Sequence, residues 1–173
     1  MRKYRITKYN PNCRDIYGRY IAKEWIACSD IGKSFDNKIL NVSEYKETED
    51  NYIKAINIIL RNNNIQTLVV EEMEKYFDID EVQESLEKYH LSLIDTEEIL
   101  FKSITNGSKI SSDNIPIIVK LLLRECFWCV LTTPKKDIMI EFGYDYYMYV
   151  SCEEIVFSTI DEIKKLKLYV EEV

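Results

Sequence analysis

Three mainly apolar segments follow one another between Cys126 and Val150, and the middle one alternates apolar and polar residues with a period of two, which predicts three consecutive antiparallel strands. Turn-forming residues at 134–136 and 143–145 separate the three segments, and aromatic and branched residues fill them. The apolar residues of the middle segment are Ile138, Ile140 and Phe142. A meander with one apolar face needs cover on that face, so helices are expected to pack against it.

Apolar spacings of three and four residues predict helices in the rest of the chain. The clearest helix runs from Ser43 to Arg61, with Ser43 as its predicted N-cap. Its predicted buried face consists of Tyr45, Tyr52, Ile53, Ile56, Ile59 and Leu60. Weaker patterns predict helices over 80–89, 95–104 and 159–166. A segment that begins near Ile115 is apolar all round, which is typical of a buried helix.

Three further strands complete the predicted sheet. Lys3–Tyr9 alternates as a first strand, Ile65–Glu72 follows the long helix closely, and Leu168–Val173 is expected to form an edge strand. No repeat or linker divides the chain. We therefore predict a single α+β domain over residues 1–173, with a largely antiparallel sheet whose C-terminal three-stranded meander packs against helices.

Composition indicates a soluble protein of the cytoplasm. Of the 173 residues, 46% are hydrophobic and 31% are charged, and no apolar run approaches the roughly 20 residues that cross a bilayer. The first ten residues are charged and lack the apolar core of a signal peptide. Five cysteines are expected to be reduced thiols. Cys126 and Cys129 would point to opposite faces of a strand, so no metal site is expected there.

The net charge of -7 is distributed unevenly. Residues 1–40 hold nine Lys or Arg against four Asp or Glu, whereas the segment from Glu71 to Glu98 holds eleven acidic residues and only two lysines. An acidic surface would repel nucleic acid and acidic membranes and would attract a basic protein. It could equally serve only to keep the protein soluble.

Elements of common catalytic motifs are largely missing from the chain. His90 is the only histidine, and it lies at the end of a predicted helix, where a structural role is more common. The four glycines are too far apart to form a phosphate-binding loop. No cofactor is expected.

One polar and aromatic constellation is a candidate site. If the first strand pairs beside the meander, an N-terminal loop with Arg14, Asp15, Glu24, Trp25 and Asp30 would share one end of the sheet with the 142–147 turn. Tyr, Trp and Arg often dominate the energetic centres of interfaces. Alternatively, Trp25 and the tyrosines belong to the core, with their hydroxyls directed outward. A third possibility is acid/base chemistry by Asp15, Glu24, Asp30 and Asp145.

The same residues carry a resemblance to a family of small uncharacterised bacterial proteins, several of which are encoded near secreted polymorphic toxins. The matching stretches are KYRITKYNP from Lys3, Arg14-Asp15 with Gly18 and Tyr20, Glu24-Trp25, SDIG at Ser29–Gly32, the segment Arg124–Cys129, and FGYDYYMYV at Phe142–Val150. The chain departs from the family pattern at Ile26–Cys28 and near the C-terminus. The resemblance implies a role close to toxin immunity and supplies no catalytic residue.

We therefore expect a non-enzymatic, immunity-type protein that neutralises a partner toxin through an acidic or aromatic surface, and a basic toxin domain is the candidate partner. Neither nucleic acid nor a membrane is an expected partner. The predicted partner-binding residues are Arg14, Asp15, Trp25, Asp30, Glu81, Glu84, Glu87, Tyr144, Asp145 and Tyr146. The alternatives are a small hydrolase or transferase that uses the four carboxylates above, and a housekeeping interaction module.

Overall fold

Seven antiparallel strands form the central sheet of the computed structural model, which describes residues 1–173. Their bounds are β1 Arg2–Thr7, β4 Thr67–Glu74, β5 Lys109–Ser111, β6 Trp128–Thr132, β7 Met139–Phe142, β8 Met148–Cys152 and β9 Tyr169–Glu172. A separate small hairpin joins β2 Ser34–Phe35 to β3 Lys38–Ile39. The spatial order in the large sheet is β5-β4-β6-β7-β8-β1-β9. The protein is therefore α+β, as predicted.

The meander β6-β7-β8 lies at the centre of this sheet, and the register explains its apolar pattern. One row of paired residues crosses five strands and is buried throughout: Val70, Leu131, Ile140, Val150 and Tyr4. Since side chains alternate between the faces of a strand, these residues all point to the same side. The first strand pairs with β8 and the last strand with β1, so the predicted positions of both terminal strands are confirmed.

Five helices accompany the sheet. Their bounds are α1 Val42–Asn62, α2 Ile79–Glu87, α3 Asp95–Ser103, α4 Ile115–Leu123 and α5 Phe157–Lys164. All six residues predicted for the buried face of α1 are buried. The predicted N-cap was wrong, because Asn41 accepts a hydrogen bond from the backbone N–H of Glu44 at 2.9 Å and Ser43 lies inside the helix.

Helices α1 and α4 pack together, and α4 is buried on nearly every side. An ion pair within the core joins α1 to the end of α4. Arg124, which follows α4, donates from Nε and Nη2 to the two carboxylate oxygens of Glu49 at 2.8 and 2.9 Å. Its Nη1 donates to the carbonyl of Ser92 at 2.9 Å. This arginine therefore connects α1, α4 and the segment before α3.

Several local predictions were incomplete. The third strand of the meander starts at Met148, since Asp145 and Tyr146 have φ values of 65° and 61° and belong to a tight turn. The β2-β3 hairpin was not predicted, although Asp36 and Asn37 adopt the positive φ of a two-residue turn. The short strand β5 was also missed. No helix combines the length and hydropathy required to cross a membrane.

Candidate functional site

The structure brings the N-terminal loop to the 142–147 turn, as the sequence predicted. The ring of Trp25 lies 5.0 Å from that of Tyr146, and the guanidinium of Arg14 lies 5.8 Å from the ring of Tyr147. Trp25, Asp30 and Tyr146 are nevertheless only 7%, 8% and 5% exposed. These three predicted partner-binding residues pack beneath the surface, so they are not available for direct contact with a partner.

Three buried tyrosines of this region direct their hydroxyls to backbone carbonyls and not to solvent. Tyr52 donates to the carbonyl of Tyr146 at 2.6 Å, and Tyr9 donates to the carbonyl of Trp25 at 3.2 Å. Tyr45 donates to the carbonyl of Leu123 at 3.3 Å. Burial raises the pKa of all three phenols. These bonds attach the loop to the segment after β1, the turn to α1, and α1 to the end of α4.

A buried lysine joins this support to the N-terminal loop. The ammonium of Lys8 lies 4.1 Å from the ring centres of both Tyr9 and Trp25 and 3.2 Å from the carboxylate of Glu24. Burial, opposed by Glu24, lowers the pKa of Lys8 to about 8. Glu24 also accepts a hydrogen bond from the hydroxyl of Tyr20. Lys8 was not singled out from the sequence, because its aromatic neighbours come from separate parts of the chain.

Three of the four carboxylates considered for catalysis have separate local partners. Asp15 accepts hydrogen bonds from the backbone and side chain of Arg19 within its own turn. Asp30 accepts from the backbone of Ile26 and from Lys33, both at 2.8 Å. Glu24 pairs with Lys8 as described. Arg14, likewise, pairs with Glu171 of the edge strand at 3.4 Å.

Asp145 differs from these three carboxylates, since it is exposed in the left-handed turn. It lies near Glu125, which the sequence analysis did not select. Glu125 is exposed just after α4, at φ 59°. Desolvation, followed by the negative charges of Asp145 and Asp30, raises the pKa of Glu125. The local sequence gives no sign of this proximity, because the three residues come from distant segments.

The acidic segment predicted from the sequence is only partly a surface. Glu97 is buried and pairs with Lys120 at 2.7 Å, and Glu71 pairs with Lys136 at 2.8 Å. Glu81, Glu84 and Glu87 are exposed on α2, as expected. Glu81 additionally accepts from the backbone N–H of Asp78, which completes a capping box at the start of the helix.

A groove of about 350 Å³ separates α2 from the segments 28–29 and 124–126. We call it the α2 groove. Buried apolar side chains, namely Cys28, Val82, Leu86 and Cys126, form its floor. Its rim carries Phe77, the three carboxylates of Glu81, Glu84 and Glu125, and Lys88, which pairs with Glu84. The groove therefore combines an apolar base with a negatively charged edge.

Exposed aromatic side chains extend this edge towards the end of the sheet. Tyr76, Phe77 and Tyr144 are 77%, 55% and 92% exposed. Tyr76 donates to Glu74 at 2.6 Å. The acidic–aromatic face, as we name it, comprises Glu74, Tyr76, Phe77, Glu81, Glu84, Glu125, Tyr144 and Asp145.

Backbone pairing holds the two ends of this face in a fixed relation. Glu74 at the end of β4 pairs with Trp128 of β6. The indole N–H of Trp128 donates to the carbonyl of Phe142 at 2.6 Å, immediately before the turn that presents Tyr144. The acidic segment and the aromatic end of the sheet, which the sequence treated as two possible surfaces, thus form one.

Much of the charge on this face is uncompensated. None of the ion pairs in the protein involves Glu81, Glu125 or Asp145. A second cavity, of about 440 Å³, lies at the start of α1 and differs in this respect. There Glu44 pairs with Lys38 at 2.8 Å and Glu47 pairs with Lys167 at 2.9 Å. Unpaired carboxylates beside exposed aromatic rings distinguish the acidic–aromatic face from this cavity and make it the candidate binding surface.

The structure contains no group of three or more His, Cys, Asp or Glu side chains arranged to hold a metal ion, and its five cysteines are free thiols. His90, the single histidine, is exposed. Comparisons with protein-family models, curated proteins and solved structures found no match for the chain.

Proposed function

We propose that the protein is a non-enzymatic, immunity-type binding protein that neutralises a basic partner domain by covering part of its surface. The observation that carries the proposal is the acidic–aromatic face, where exposed rings lie beside carboxylates that have no cation of their own. Aromatic side chains supply binding energy at interfaces, and complementary charge increases the rate and specificity of encounter.

The contacts beneath the face favour recognition by a preformed surface. Trp25 and Tyr146 pack under the turn that presents Tyr144, and Tyr52 bonds the backbone of that turn to α1. A binding surface that is already ordered loses less conformational entropy when the complex forms. The proposal puts the complex in the cytoplasm, where free thiols such as those of this chain stay reduced.

Co-expression with the toxin domain encoded in an adjacent gene tests the proposal. The wild-type protein is expected to restore growth. A variant with Glu81→Gln and Glu125→Lys, which removes negative charge from the face and leaves the capping box of α2 intact, is expected to lose protection. Glu153→Gln with Glu154→Lys is the matched control, since both residues are exposed, unpaired and outside the face. Failure of the wild-type protein to protect, or equal protection by the face variant, would refute the proposal.

A further inference from the structure

The α2 groove has the chemistry to accept a long cationic side chain. Its floor of Val82, Leu86 and the two cysteines is apolar, whereas Glu81 and Glu125 stand unpaired at its edge. Arginine and lysine bury an aliphatic stem on apolar surface and keep their charged end beside polar groups. A groove with an apolar base and an acidic rim matches both parts of such a side chain.

The arrangement of the rim favours arginine over lysine. Two carboxylates without cations, Glu81 and Glu125, line the groove from different segments, and a guanidinium has donors in several directions where an ammonium is a point charge. Phe77 offers an exposed ring on the same rim, and a guanidinium stacks on aromatic faces more often than an ammonium. Lys88 neutralises Glu84 at 3.3 Å, which leaves the other two carboxylates for the ligand.

We propose that the α2 groove is an anchor site for an arginine side chain of the protein partner, with the aliphatic stem on Val82 and Leu86 and the guanidinium between Glu81 and Glu125. This inference rests on the proposed function, for which it names the chemistry of the contact. It requires that the partner has an exposed arginine where it contacts the groove.

The test uses the full chain, labelled with ¹⁵N, and two blocked tripeptides, Gly-Arg-Gly and Gly-citrulline-Gly. Citrulline has nearly the shape of arginine and no charge. The arginine peptide is expected to shift the backbone amide signals of Cys28, Val82, Leu86 and Cys126. The citrulline peptide is expected to bind at least about tenfold more weakly, because charge-assisted hydrogen bonds are lost.

Three neutral variants locate the contact. Glu125→Gln and Glu81→Gln are each expected to weaken binding of the arginine peptide about fivefold. Glutamine at position 81 can still complete the capping box, so the helix should be retained. Glu87→Gln is the control, because Glu87 is exposed on the same helix but does not line the groove.

Four results would overturn the inference: no shifts at millimolar arginine peptide, shifts outside the groove, equal binding of the citrulline peptide, or equal weakening by Glu87→Gln. The last result would indicate only general attraction to a negative protein. Peptide binding in the groove without protection against any toxin would leave the arginine site intact and remove the proposed function. Protection against the toxin without selectivity for the arginine peptide would remove the arginine site and leave the proposed function intact.

Discussion

Replacing Arg124 by methionine should destabilise the protein strongly, because it leaves the carboxylate of Glu49 buried without a partner. The two side chains are only 4% and 2% exposed, and they share two hydrogen bonds of 2.8 and 2.9 Å. The carbonyl of Ser92 loses a donor as well. Removing one member of a buried, bidentate pair typically costs about 3–5 kcal/mol in the free energy of unfolding.

The loss of stability in Arg124→Met is expected mainly because the Glu49 carboxylate stays buried without a partner, and only in part because the attraction between the two charges is lost. In a double variant with Glu49→Leu and Arg124→Met, no charge is left unpaired. We expect its free energy of unfolding to lie within about 2 kcal/mol of the wild-type value. An exposed pair provides the contrast: Arg19, whose side chain is 73% exposed, pairs with Asp15 at 2.7 Å. Arg19→Met should cost less than about 1 kcal/mol.

Urea denaturation followed by tryptophan fluorescence measures these differences, since Trp25 and Trp128 lie in the folded core and sheet. The slope of the unfolding free energy against urea should be the same for all variants. The reasoning is refuted if Arg124→Met costs less than about 1 kcal/mol, or if the double variant is at least as unstable as that single variant.

Three further predictions concern Lys8, Tyr52 and Tyr144. The pKa of Lys8 is about 8 in the folded state, so between pH 7 and 9.5 the unfolded state binds more protons at this residue. Over that range the free energy of unfolding of the wild-type protein should rise by about 2 kcal/mol relative to that of Lys8→Met. Urea denaturation of both proteins at each pH measures the difference, and the contributions of the thiols cancel. Tyr52→Phe removes the bonds to Tyr146 and Lys8 and should cost about 1–3 kcal/mol in urea denaturation. Tyr144→Ser should leave the unfolding midpoint unchanged while it weakens partner binding; a shifted midpoint would contradict its exposed position.

The sheet and the long helix could be predicted because their signals are local. Ile138, just before β7, and Ile140 and Phe142 within it alternate with polar positions, and each is buried in the structure. The end of the meander was less predictable. Tyr146 has the composition of a strand residue, but the left-handed backbone at Asp145 and Tyr146 directs its side chain into the core.

The candidate site could be predicted only in part. Charge density along the chain indicated Glu81 and Glu84 as exposed acids, and both lie on the rim of the groove. The same signal could not separate them from Glu97, which is buried against Lys120. Phe77 and Glu125 were missed because they come together at the groove only through the packing of α2 near the end of α4. Local sequence does not encode such a long-range contact.

The dissociation constant of the complex with the partner domain, measured by calorimetry at several salt concentrations, tests the central claim most directly. The wild-type affinity should fall as salt rises, since screening weakens the attraction of exposed charges. The variant with Glu81→Gln and Glu125→Lys should bind at least about 100-fold more weakly and lose most of the salt dependence, while Glu153→Gln with Glu154→Lys binds nearly as the wild type does. Unchanged affinity of the first variant, or equal losses in both, would contradict binding through the acidic–aromatic face.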